Sequence, residues 1–270
     1  MRAFDLLATW PVERVAAAVI DRRGEIHMHG DETHEYRLAS VSKVITAWAV
    51  LIACEEGTVS LDDAVGQEGC TLRHLLAHAG GYSFDGDLPI AAPGKRRTYS
   101  NTGYELVAAH LADASGFDFW QYVSEAVFAP LGIVASEQSG SAAKDARLDI
   151  IGLSLFLAEL RRPRLLSRES FIDAVSPQFA ELEGVVPGVG RFDPCPWGLG
   201  PELRGEKSPH WTAPSNSSAT YGHFGGSGTF VWVDPLADVA CAVLTEREFD
   251  EWALAHWPAF SDAVLSEFSR

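Results

Sequence analysis

The chain has 270 residues, 47% of them hydrophobic, which suits one compact unit with a sizeable core. Its formal charge of −16 argues against nucleic acid and against an anionic membrane surface as partners. Cys54, Cys70, Cys195 and Cys241 are dispersed with no C-x-x-C pair, which fits a reduced intracellular protein while leaving a disulfide open.

The opening Met1 to Pro11 lacks a basic n-region, a long apolar run and a small-residue cleavage site. No stretch approaches the roughly 18 apolar residues that a spanning helix needs, so a cytoplasmic protein is expected. Residues 15–38 alternate and turn at Asp21-Arg22-Arg23-Gly24, as a hairpin does. A helix then runs from Ser40 to Glu56, apolar almost all round and closed by Gly57, which predicts burial on every side. At its start stand Ser40 and Lys43. Three residues of helix turn the chain by about 300°, so a hydroxyl and an amine share one face. A lysine of lowered pKa can take the proton of such a serine and make it a nucleophile. The same residues also read as a capped helix start with a surface lysine.

Residues 60–210 read as helices and loops with few strand signals. A turn at Ala92-Pro93-Gly94 leads to Tyr99 and Asn101, two residues apart, before a helical pattern from Tyr104 to Ala114. In an extended segment both side chains point the same way. A phenol can relay a proton and a carboxamide can hold an ester or amide, although a loop capping a helix through Asn101 has the same sequence. The stretch from Gly184 to Asn216 is rich in glycine and proline but holds Trp197 and Trp211, and is expected to be an ordered covering loop. From Tyr221 the chain reads strand, glycine-rich bend, strand, turn at Asp234-Pro235 and strand to Leu244, then an amphipathic segment from Asp250 to Phe268. The bend around His223, Gly225 and Gly226 frees backbone N–H groups for an oxyanion, or is a glycine-rich hairpin with a core histidine.

Strands near both ends with helices between predict an α+β sandwich: a mainly antiparallel sheet flanked by helices, with an inserted all-helical region. The expected division is one domain over 1–270, with a sheet lobe from 1–58 and 211–270 and a helical lobe from 59–210. Other patterns are set aside. His74 and His78 have helical i, i+4 spacing but lack the glutamate of H-E-x-x-H, and His27 and His29 share one strand face; no metal is expected. No P-loop or dinucleotide fingerprint is present, and no cofactor is expected.

Taken in order, S-x-x-K (Ser40, Lys43), Y-x-N (Tyr99, Asn101) and H-x-G (His223, Gly225) resemble the serine β-lactamases and penicillin-recognising DD-peptidases. The likeness is to the branch with class C β-lactamases, D-aminopeptidases and family VIII esterases. Connecting phrases agree: Leu72 to Gly81, Pro130-Leu131-Gly132-Ile133, Trp197 to Gly200 and Trp232 to Pro235. The resemblance implies that Ser40 forms an acyl-enzyme with Lys43 as base, and that Tyr99 passes the proton to the leaving group. It implies further that Asn101 orients the substrate, that the N–H groups of Ser40 and Gly226 form the oxyanion hole, and that His223, Phe224 and Gly225 line the pocket. Two positions depart from it. His223 stands where class C enzymes usually carry lysine, and Phe224 replaces a common hydroxyl residue. A histidine of unperturbed pKa near 6.5 is largely neutral at pH 7 and cationic toward pH 6. The expected function is therefore a serine hydrolase of a small ester or amide. A β-lactamase or D-Ala-D-Ala carboxypeptidase is the alternative, and an inactive binding module of the same fold is another. The only partner expected is a small-molecule substrate.

Overall fold

The computed structural model describes residues 2–86 and 88–269. Its main sheet has six antiparallel strands: β1 (Val15–Ile20), β2 (Ile26–His29), β3 (Glu202–Leu203), β4 (Tyr221–Gly225), β5 (Thr229–Asp234) and β6 (Val239–Thr245). Their order is β2-β1-β6-β5-β4-β3. The two termini thus meet in the centre, where β1 pairs β6 from Val15↔Thr245 to Ile20↔Ala240.

Every residue of β5 and β6 is buried, so these strands lack a solvent face. Period-2 geometry divides their side chains between two cores. Ala16, Ala18, Val231, Val233, Ala240 and Ala242 face one; Ala17, Val19, Phe230, Trp232, Cys241 and Val243 face the other. Four helices matter here: α1 (Ser42–Glu55), α2 (Asn101–Ser115), α3 (Ile150–Arg161) and α4 (Glu251–Phe268). The first core holds α1 and α3, and the second is closed by Trp252, Trp257, Phe260 and Val264 of α4. In α1 every residue from Ser42 to Ala53 is buried, as its apolar circumference requires. It ends at Gly57, whose φ of +76° is the left-handed turn that glycine takes without strain.

Several expectations need correction. Within 15–38, Tyr36–Arg37 leaves the main sheet and pairs with Arg147–Leu148 instead. The α-helix starts at Ser42, because Ala39 has φ +45° and Ala39–Val41 forms a separate 3-10 turn. The second helix begins at Asn101, three residues before Tyr104, because the Ser100 hydroxyl accepts the Gly103 N–H at 3.0 Å and caps it there. The span 59–210 is not one helical lobe: α3 packs on β1, β5 and β6, and Glu202–Leu203 is the sheet's edge strand. The stretch from Gly184 is ordered around a short hairpin, Gly184–Val186 with Gly190–Phe192, over buried Trp197 and Trp211.

Candidate active site

Ser40 sits in the 3-10 turn between β4 and α1, and the turn is clamped from several sides. The Ser42 hydroxyl donates to the Ala39 carbonyl at 2.6 Å and accepts the Ala146 N–H at 3.1 Å. Thr229 Oγ1 donates to the Leu38 carbonyl at 2.8 Å, and Ser227 Oγ to that of Arg37 at 2.7 Å. A Cβ on Gly225 would lie 2.3 Å from the Leu38 carbonyl oxygen, so only glycine lets β4 approach this closely. The residue after it, Gly226, stands past the strand end with its N–H unpaired among the described residues, and lines the same cleft as Ser40.

Lys43 lies behind Ser40 and is fully buried. Its ammonium position donates to Asn101 Oδ1 at 2.6 Å, to the Ala143 carbonyl at 2.9 Å and to Ser40 Oγ at 3.3 Å. Burial lowers its pKa to about 7, against an opposing pull from Glu105 and Asp85. The neutral amine has two hydrogens and one lone pair. Two carbonyl oxygens claim the hydrogens at short range, which turns the lone pair toward the serine hydroxyl. That is the arrangement of a general base.

Tyr99 stands beside the pair, with Lys43 Nζ 4.8 Å from its ring centre. Burial raises its phenol above the ordinary range, so it is protonated at neutral pH. His223 Nδ1 donates to the Phe224 carbonyl at 2.7 Å, which leaves Nε2 as acceptor for the Tyr99 hydroxyl at 3.4 Å. Burial, aided by Lys43, lowers the His223 pKa to about 4. The expectation that His223 becomes cationic toward pH 6 is thereby overturned. Beneath Tyr99 lies His78, buried, its Nδ1 accepting the Ser100 N–H at 3.1 Å and its ring 4.4 Å from that of Tyr99. Thr71 caps the short helix Leu72–Leu76, and its hydroxyl bonds His74 Nδ1 at 2.8 Å.

The cleft in front of Ser40 encloses about 230 Å³. Tyr99, Trp197, His223, Phe224 and Gly226 line it with Ser40. Two residues expected to bind substrate do not. Asn101 is buried with its amide oxygen held by Lys43 and its amide nitrogen donating to Asp85 at 3.1 Å, so it positions Lys43 and does not line the cleft. Gly225 faces Leu38, and its part is to permit close approach.

Two carboxylates of the cleft were missed. Glu202 is buried and accepts from Lys207 at 2.9 Å, His210 at 3.1 Å and Trp211 at 2.5 Å. Burial alone would raise its pKa, but Lys207 and His210 outweigh that and hold it well below the usual carboxylate range. Glu248 lines the mouth, its Oε2 3.8 Å from where a Gly226 Cβ would stand. The density of tryptophan, lysine and histidine in 197–211 was the available signal for Glu202. Outside the cleft, Asp21, Glu25 and His27 bring ligand atoms within 4.8 Å at the β1–β2 turn. There Asp21 already accepts from the N–H groups of Arg23 and Glu25 and bonds His27.

The family model described as Beta-lactamase matches residues 12–263. The chain belongs to the β-lactamase family. A crystal structure of a β-lactamase from Mycobacterium bovis is 46% identical to this β-lactamase-family chain, covering 99% of it and 100% of the other at a TM-score of 0.97. Simvastatin synthase (LovD) from Aspergillus terreus shares the fold at 16% identity, covering 99% of this chain and 97% of its own with a TM-score of 0.78. Penicillin-binding protein 4* of Bacillus subtilis is 28% identical over 36% of this chain and 29% of its own length, so the chain spans less than a third of that curated relative. Members of the β-lactamase family are serine hydrolases. No described helix is long and apolar enough to cross a membrane.

Proposed function

We propose that this chain hydrolyses small, uncharged esters or amides through an acyl-enzyme on Ser40. The observation that carries the reading is the Lys43 amine, its hydrogens bound to Asn101 and Ala143 and its lone pair left for Ser40. Ser40 Oγ attacks the carbonyl carbon while its proton passes to Lys43 Nζ. The oxyanion forms against the N–H groups of Ser40 and Gly226. Tyr99 gives its proton to the departing alkoxide or amine and recovers one from the Lys43 ammonium. Water then attacks the acyl carbon by the same route in reverse, returning the serine hydroxyl and releasing the acid.

The choice of an uncharged substrate rests on the cleft wall. His223 is neutral there, Phe224 offers no hydroxyl, and Glu248 adds a negative charge beside Gly226. An anionic β-lactam would meet a carboxylate in place of a cation, whereas a neutral ester loses little. The relative named a β-lactamase favours the neighbouring reading, β-lactam turnover. The ratio of kcat/KM for p-nitrophenyl acetate and nitrocefin at pH 7 decides between them: a value above one is expected, and faster nitrocefin hydrolysis would reverse the assignment. Ser40→Ala should abolish both activities and fluorophosphonate labelling. The four free cysteines support a reducing, cytoplasmic setting for this reading.

A further inference from the structure

The geometry points to a leaving-group subsite beyond Tyr99, shaped for an uncharged apolar alcohol or amine portion of several carbons. This rests on the hydrolase reading above and specifies which half of the substrate confers selectivity. A groove of about 380 Å³ adjoins the Ser40 cleft and is larger than it. The two share Phe84, Tyr99 and Pro187, so Tyr99 is their common wall. With the acyl carbon between Ser40 Oγ and the Gly226 N–H, the acyl chain is assigned to the part of the cleft lined by Phe224 and Phe249. The bond that breaks lies on the other side, where the Tyr99 hydroxyl supplies the proton. A departing group passing Tyr99 enters the groove.

The walls of that groove are apolar and firm. Phe84, Ile90 and Val185 are 49%, 52% and 49% exposed, an unusual concentration of open hydrophobic surface on a chain of net charge −16. The Arg97 N–H donates to the Glu183 carbonyl at 2.9 Å, tying the Tyr99 segment to the opposite wall. Most polar groups on the lining are engaged within the protein. Four of the five Arg97 guanidinium N–H groups donate to the carbonyls of Cys195, Ala77, Gln178 and Phe179, and Arg191 pairs with Glu183 at 2.6 Å. What remains is a trough for hydrocarbon, with exposed Arg96 at the rim.

Two ester series test this. Acetates of ethanol through hexanol lengthen the leaving group, and ethyl esters of acetic through hexanoic acid lengthen the acyl group. We expect kcat/KM to rise about threefold to fourfold per methylene in the first series, the value of burying one methylene, and to stay nearly flat in the second. Ile90→Asp and Val185→Asp should each cut the hexyl-to-ethyl acetate ratio about tenfold. Val134→Asp, at an exposed apolar residue that does not line the groove, should leave it unchanged. A slope confined to the acyl series, or equal slopes in both, overturns the proposal. Absence of all ester turnover while fluorophosphonate still labels Ser40 would instead defeat the ester reading. In that case 1-hexanol should still slow the labelling more than ethanol does, and more in wild type than in Ile90→Asp. Equal protection by the two alcohols would overturn the groove.

Discussion

At the residue scale, the chemistry turns on Lys43. Its pKa is lowered to about 7, so the base is ammonium in acid and amine above neutrality. The kcat/KM for a neutral ester should therefore climb through a half-point near pH 7 and level off above it. An acid limb centred below about pH 5.5 would show that another group is the base. Asn101 supplies the second prediction. It bonds Lys43 and Asp85 and does not line the cleft, so Asn101→Leu should lower kcat about 100-fold with KM within about twofold of wild type. A substrate-orienting residue would instead raise KM. His223 gives the third. With its pKa lowered to about 4, the ratio of ester to β-lactam turnover should stay constant from pH 7 to 5.5. Ser40, Lys43, Tyr99 and His223 were legible because their spacing is itself the signal. The partners of Lys43, Asn101 and Glu202 were not, since Ala143, Asp85 and His210 respectively reach them only through tertiary folding.

At the scale of elements, the position of Gly226 depends on how tightly β4 lies against the Ser40 turn. Gly225→Ala would place a methyl 2.3 Å from the Leu38 carbonyl oxygen and 2.5 Å from Thr229 Oγ1, and neither can retreat freely. The variant should fold with a lowered melting temperature and lose about 10²–10³-fold in kcat, the usual cost of displacing one oxyanion donor. Unchanged kcat would mean that Gly226 is not such a donor. The helix α1 and strands β5 and β6 were readable because their apolar runs are long and bounded by glycine or by Asp234-Pro235, and β4 because a glycine-rich bend follows it. Arg147–Leu148 and Glu202–Leu203 were not, because two residues are too few to display alternation. The early start of α2 was missed since Ser100 acts through a single cap bond.

On the scale of the whole molecule, the termini and the helical insertion meet at the Ser40 cleft, and buried histidines couple that meeting to pH. Burial holds His223 at about 4 and pushes His78 well below its ordinary value. Between about pH 6.5 and 4 the unfolded chain binds protons at both positions while the folded chain does not. Stability should therefore be intact above pH 6.5 and fall as the pH drops through that window. Thermal unfolding between pH 7 and 4.5 measures it, and His223→Gln should flatten the decline; a flat wild-type profile would contradict the assignment. The contacts of Lys43 also bear on the newly made chain. On the ribosome Ser40 and Lys43 are already neighbours, yet a solvated lysine stays charged and the serine stays inert. Only when the segments carrying Asn101 and Ala143 close around it does the amine lose its proton near neutrality. Nascent and partly opened chains thus cannot acylate themselves on passing esters, and reactivity marks the finished molecule.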